Sequence, residues 1–169
     1  VSSAVEIRFQ STLQKDEVLP AFFVLFGSQF PKVKSNDIPG PIRKRPEFTF
    51  SSDFLLSNKD FSIGVSNRSV LFENVGEYKL WNKYFDLIIQ SLEKIRSGNF
   101  VTSMERVGLR YISIFDTNEP IEKCLNLNFQ IGFPDFAQRT DLVRLTLKKD
   151  EVSVLLNIGH NATATLSNA

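Results

Sequence analysis

SMERVGLRYISIF, residues 103–115, is the most informative stretch of this chain, because part of it repeats a segment near the start. The segment VEIRFQS at 5–11 aligns without a gap with VGLRYIS at 107–113, an offset of 102 residues (107 minus 5). Val, Arg and Ser are identical in the two copies, and Ile/Leu and Phe/Tyr are conservative replacements. The match favours an internal duplication, with chance similarity as the alternative.

The residues after the first copy predict a helix. Phe22, Phe26 and Phe30 recur every four residues and therefore share one helical face. Pro20 suits a first helical turn and Pro31 ends the helix. The following segment, 38–46, contains three prolines and Gly40 and is typical of an extended loop.

The rest of the first half predicts several strands and one long helix. Runs rich in Phe, Ile and Val, separated by polar pairs and triplets, predict an antiparallel meander with strands at 47–50, 54–57, 61–66 and 69–73. From about Tyr78 to Arg96, apolar residues recur with helical spacing, which predicts a helix with one buried stripe at positions 81, 84, 85, 88, 92 and 95.

The second half repeats this order without its closing helix. A short helix is predicted at 120–125, a strand at 127–133, and a hairpin of 141–147 with 152–158. We therefore expect one α+β domain, 1–169, with antiparallel sheets and the long helix packed on one face. Its two related β-α-β-β-β(-α) halves would be 5–98 and an incomplete 105–169, whose C-terminal helix is absent from this chain. A TATA-binding-like or helix-grip-like saddle is the expected architecture, by analogy.

Composition favours a compact intracellular protein. With 169 residues, 42% of them hydrophobic, the chain can bury one sizeable core. The 16 Phe fit core packing better than a base-stacking or ligand surface. One cysteine, Cys124, excludes an internal disulfide and indicates a reducing compartment, so a cytoplasmic location is expected. The sequence has no apolar run long enough to span a membrane, and its net charge of +1 argues against a large nucleic-acid footprint.

The sequence gives little support for catalysis. It has no phosphate-binding loop, dinucleotide glycine pattern, zinc-protease motif or nucleophile elbow. His160 is the only histidine, and turn chemistry explains it as well as proton transfer does. A Cys124–His160 pair is an alternative that sequence cannot test. We therefore expect no catalytic residues, no metal and no cofactor, and favour a protein that is not an enzyme.

Charged residues on strands are the first candidate site. Alternation along 105–114 places Arg106 and Arg110 on one face with Gly108, Ile112 and Ile114, opposite Glu105, Val107, Leu109 and Tyr111. Gly108 between two arginines predicts a bulge or a close approach of another segment. The structural interpretation is an internal ion pair, with Asp116 or with a carboxylate such as Glu6. The functional alternative is an anion clamp of Arg8, Arg106 and Arg110.

A basic loop is the second candidate site. Arg43, Lys44 and Arg45 lie in the proline-rich segment and could meet phosphates or an acidic partner. The alternative is three solvated charges without a function.

Residues 105–112, ERVGLRYI, resemble the strand signature of an uncharacterised, sporadically distributed bacterial protein family with an ERxGLRYxN-like strand. AVEIRF at 4–9, FPKV at 30–33 and YKLW at 78–81 are further landmarks that resemble the family, and Ser113 departs from it where the family tends to have Asn. The resemblance implies a continuation through another strand to a final helix. It brings no established activity, and the patchy distribution resembles that of horizontally transferred genes, including defence loci.

Three functional hypotheses remain open at the level of sequence. The first is a non-enzymatic intracellular binding module for a protein or another macromolecule. The second is a small-ligand-binding protein or enzyme with a pocket on a concave sheet. The third, nucleic-acid binding, is not favoured, and neither a membrane partner nor any particular oligomeric state is indicated.

Overall fold

A computed structural model describes residues 2–36, 38–75, 77, 80–114 and 142–159. The described residues of 2–113 belong to one compact unit, and those of 114–159 belong to a second. The prediction of a single domain stays a prediction. The chain is an α+β protein with a large antiparallel sheet, as the sequence predicts.

The first unit is built on a six-stranded sheet. Its strands in chain order are β1 (Ser2–Ser11), β2 (Lys32–Ser35), β3 (Phe54–Ser57), β4 (Phe61–Val65), β5 (Ser69–Asn74) and β6 (Val101–Ile112). Their order across the sheet is β2-β3-β4-β5-β1-β6, and every neighbouring pair is antiparallel. Among the strands that the structure describes, β6 therefore lies at one edge, beside β1.

Two helices cover one face of this sheet. Helix α1 (Val18–Phe26) and helix α3 (Trp81–Ser97) pack on the sheet through one apolar cluster. Phe22 and Phe26 of α1 are fully buried in it, as predicted, together with Ile7 and Phe72 of the strands. The Tyr84 hydroxyl of α3 donates a hydrogen bond to the Phe72 carbonyl oxygen at 2.7 Å, which ties α3 to β5.

The connection between β2 and β3 differs from the prediction. It contains a single turn of helix, α2 (Gly40–Arg43), and a 3-10 turn at Pro46–Phe48. The strand predicted at 47–50 is therefore wrong, because a proline opens the segment and presets the φ of a helical turn. Strand β2 was not predicted, since all four of its residues are exposed and no apolar alternation marks it.

The prediction of one buried stripe on α3 needs correction. Tyr84, Ile88, Ser91 and Ile95 are buried, but Trp81 and Phe85 are exposed. The buried stripe is therefore narrower than the apolar stripe of the sequence.

The prediction of a bulge or a close approach of another segment at Gly108 is also wrong. Arg8 pairs with Arg106 and Phe9 with Met104, so the extra residue of the bulge is Glu105. Gly108 pairs regularly with Glu6, and a Cβ at this position would meet no atom closer than 3.9 Å.

The described part of the second unit is a hairpin. Strand β7 (Leu142–Lys149) pairs antiparallel with β8 (Val152–Gly159) across Asp150 and Glu151, which agrees with the predicted hairpin. The predicted helix at 120–125 and strand at 127–133 lie outside the described residues. Within the described ranges, no helix is long and apolar enough to cross a membrane.

Candidate interaction surface

The helix-side face of β6 carries apolar side chains that are exposed, and neither α1 nor α3 covers them. Val107 lies opposite Ile7 and Leu109 opposite Val5, so these side chains project toward the helical layer. Ile7 is 1% exposed and Val5 is 4% exposed, whereas Val107 is 66% and Leu109 is 53% exposed. The apolar pattern of the sheet therefore continues one strand beyond the cover that the helices provide.

The side of α3 that faces β6 is also apolar. Trp81 and Phe85 are 36% and 44% exposed, and their ring centroids are 5.5 Å apart. The Trp81 ring also meets the ring of Tyr111 on β6, with 5.8 Å between centroids. Ile89 and Leu92 continue this stripe along α3. We call the surface the α3–β6 groove, and its lining residues are Trp81, Phe85, Ile89, Leu92, Met104, Val107, Leu109 and Tyr111.

The groove opens into a pocket at the C-terminal end of α3. The pocket has a volume of about 460 Å³, and Ile7 and Phe9 of β1 lie in its wall with Leu92 and Met104. The lining includes two polar side chains, Arg96 and Asn99, both of which are exposed. This part of the surface combines an apolar interior with a guanidinium.

The opposite face of the sheet carries the charged residues that the sequence singled out. Arg8 forms an ion pair with Glu6 at 2.8 Å, and its guanidinium lies 3.9 Å from the centroid of the Phe50 ring. Glu105 pairs with Arg68 at 2.9 Å. Arg8 and Glu105 therefore each have a partner that fixes their position.

Arg106 and Arg110 lie on the same face as Arg8. Arg106 is directly opposite Arg8, and Arg110 is opposite Ala4, whose other neighbour is Glu73 of β5. Burial raises the pKa of Glu73, and the positive charge of Arg110 partly offsets this by lowering it. The structure brings the three arginines onto adjacent strands, and whether they bind an anion stays a prediction.

The basic loop is divided between two environments. Arg43 forms an ion pair with Asp53 at 2.8 Å, and Asp53 is only 6% exposed. Arg43 also donates a hydrogen bond to the Ser52 carbonyl oxygen at 3.3 Å. Lys44 and Arg45 are exposed. Arg43 therefore anchors the loop beside β3, while its two neighbours are accessible.

Cys124 and His160 lie outside the described residues, and so does Asp116, the other possible ion-pair partner of the strand arginines. Among the described residues, no group of three His, Cys, Asp or Glu side chains could hold a metal ion.

Comparison with known proteins gave no relative. Protein-family models, curated proteins and solved structures were each searched, and none matches this chain. The resemblance to the ERxGLRYxN-like family therefore stays a prediction.

The α3–β6 groove was not among the sites predicted from the sequence, although most of its residues were assigned to a helix stripe or a strand face. Trp81 and Phe85 belonged to the stripe expected to be buried, and Val107, Leu109 and Tyr111 were placed together on one strand face. The sequence does not reveal that β6 pairs with β1 and is the outermost of the described strands on that side of the sheet.

Proposed function

We propose that this protein is a non-enzymatic intracellular binding module that recognises another protein through the α3–β6 groove. The observation that carries the proposal is the exposure of seven large apolar side chains on one helix face and the adjoining strand face. When a partner covers exposed apolar surface of this kind, the free energy of the system falls because the apolar groups leave water.

The size of the groove supports a macromolecular partner. The exposed apolar area of these side chains is on the order of 600 Å², at the upper end of the largest patch on a typical monomer. A standard protein interface buries about 800 Å² on each partner. Tryptophan and tyrosine, which are enriched among the residues that dominate binding energy, lie at one end of the groove as Trp81 and Tyr111.

Copurification tests the proposal. The tagged full-length protein and its Leu109→Glu variant are isolated from cells of the native host, and the retained proteins are compared. Leu109 is 53% exposed, so the variant should fold, and we expect it to lose the specific partner because a carboxylate would be buried in the interface.

Val24→Glu is the matched control, because Val24 is an exposed apolar residue of α1 outside the groove, at 84% exposure. It should retain the partner. Equal retention by Leu109→Glu, with circular dichroism showing an unchanged fold, would reject the groove as the binding surface.

A second candidate is a protein that binds a small amphipathic anion, with its apolar part in the open pocket at the C-terminal end of α3 and its carboxylate at Arg96. The pocket volume of about 460 Å³ lies within the usual range of ligand sites, and Arg96 could meet a carboxylate. Titration with a fluorescent fatty acid distinguishes this ligand-binding function from the protein-binding function. Saturable one-to-one binding that Arg96→Ala weakens, without a retained protein partner, would favour the ligand-binding function.

We also propose that two related halves form the fold. The pairing of β1 with β6 supports this, because Glu6 lies opposite Gly108, and these positions are equivalent at the offset of 102 residues. Val5 and Val107 are also equivalent at this offset, and they lie on the same face of the sheet. A two-fold axis that runs perpendicular to the sheet between Glu6 and Gly108 requires this. A bacterial origin, a cytoplasmic location and a place in a defence locus remain predictions of the sequence resemblance and composition.

A further inference from the structure

We propose that the partner segment bound in the α3–β6 groove is an amphipathic α-helix that lies antiparallel to α3. This inference rests on the proposed function and adds the secondary structure, direction and charge pattern of what is bound.

The width of the uncovered surface fits a helix. Neighbouring strands are about 4.8 Å apart and a helix is about 10 Å wide, so one helix covers roughly two strands. Helix α1 contacts β3 and β4. Helix α3 is hydrogen-bonded to β5 through Tyr84 and Phe72, and its buried residues share one apolar cluster with Val5 and Ile7 of β1. Strand β6 is left beside α3, where a third helix in the same layer would find its apolar floor.

The length of the groove sets the length of the bound helix. The apolar stripe of α3 runs from Trp81 to Leu92, and Arg96 follows one turn later. At about 1.5 Å per residue this interval is roughly 22 Å, which corresponds to about four turns of a bound helix. Apolar residues at intervals of three and four would match the positions that α3 itself presents.

The charges beside the groove give the direction. Asp86 and Glu93 are exposed on the flank of α3 next to Phe85 and Ile89, and Arg96 lies at the far end. Among the described residues, none of these three takes part in an ion pair. An antiparallel helix would place its N-terminus near Arg96, where acidic side chains also suit the helix dipole. Basic residues in its last turns would reach Asp86, which precedes Arg96 by ten residues, about 15 Å along α3.

A displayed peptide library tests this inference on the full-length protein. The library contains 18-residue peptides of equal composition in two halves, one with helical periodicity and the other with strict alternation. Binders are selected on the wild-type protein and counter-selected on Leu109→Glu. We expect helical peptides with acidic first turns and basic last turns to be enriched.

Binding of the selected peptides has a spectroscopic signature. The chain has one tryptophan, Trp81, which lies in the groove, so a peptide without tryptophan should shift its fluorescence to the blue. Reversing the flanking charge with Asp86→Lys should weaken binding of the peptide about two- to fivefold, the range expected for one exposed ion pair. Val24→Glu should bind as the wild type does.

Three outcomes would overturn the inference. Enrichment of alternating peptides would indicate strand addition to β6, and enrichment of no peptide on the wild-type protein would reject a helical ligand. Concentration-dependent dimers that Leu109→Glu dissociates would identify a second copy as the occupant. In each of these cases the Leu109→Glu variant could still lose the native partner in the copurification experiment. The helix proposal can therefore fail while the proposed protein-binding function holds.

Discussion

Glu73 and Arg110 show how single residues are arranged on the charged face of the sheet. They occupy β5 and β6, on either side of Ala4 of β1, which is only 4% exposed. The two long side chains lie on the same face of the sheet and interact electrostatically across the small alanine. The arginine partly offsets the cost of burying the carboxylate, as the opposing effects on the pKa of Glu73 indicate.

The pKa of Glu73 is the first prediction at this scale. Carbon-detected NMR titration should find the Glu73 pKa above its ordinary value of 4.5. Replacing Arg110 with Gln should raise that pKa further, because the charge that lowers it is lost. A Glu73 pKa that falls in Arg110→Gln would contradict the assignment.

The pH dependence of stability follows with a definite sign. Between 4.5 and the raised pKa, the folded state binds more protons at Glu73 than the unfolded state does. The stability contributed by this group is therefore lost as the pH rises through that window. Urea unfolding of the wild type and Glu73→Gln should show the wild type losing stability relative to the variant as the pH rises above 4.5.

Two glycines provide the second prediction at the residue scale. A Cβ on Gly64 would collide with the Ser52 side chain, whereas a Cβ on Gly108 would meet no atom closer than 3.9 Å. Gly64→Ala should therefore cost about 1–3 kcal/mol of unfolding free energy. Gly108→Ala should leave stability unchanged or raise it by about 0.5 kcal/mol, because alanine loses less backbone entropy. Urea unfolding measures both, and a large loss in Gly108→Ala would contradict the regular pairing at this position.

At the scale of elements, α3 has two apolar stripes with different roles. One, with Tyr84 and Ile88, is buried against the sheet, while the other, with Trp81 and Phe85, lines the groove. Periodicity predicted the helix and its apolar residues correctly. Periodicity could not separate the buried residues from the groove-lining residues. Both sets recur with helical spacing, whether the sheet covers them or they lie exposed beside β6.

Adjacent isoleucines on α3 give a matched test of this division. Ile88 is 4% exposed and Ile89 is 39% exposed. Ile88→Ala should cost about 2–4 kcal/mol because it leaves a cavity in the core, and Ile89→Ala should cost less than about 1 kcal/mol. Urea unfolding at neutral pH compares them. Similar losses for the two variants would show that the isolated chain already covers the groove.

Strand β6 shows the same limit of sequence reasoning. Alternation correctly grouped Val107, Leu109 and Tyr111, but it also placed Glu105 with them. The bulge at Glu105 interrupts the alternation, and the carboxylate instead pairs with Arg68. A bulge depends on the register of two strands that are distant in sequence, so the local pattern does not reveal it.

At the scale of the whole molecule, α1 and α3 cover part of one face of a sheet with six described strands in the first unit. The α+β class and most strands of this unit follow from composition and periodicity. The order of the strands does not, since the β1–β6 pairing joins residues that are about a hundred positions apart. That pairing puts an apolar strand at the edge of the helical layer, and the proposed function follows from this placement.

The most direct test of that function is site-specific photocrosslinking in the native host. Benzoylphenylalanine is placed at Leu109 of the full-length protein, or at Val24 as an exposed control outside the groove. We predict a discrete adduct with another protein after irradiation at position 109 and no such adduct at position 24. The same adduct at both positions, or none at position 109, would contradict the claim that the α3–β6 groove binds a protein.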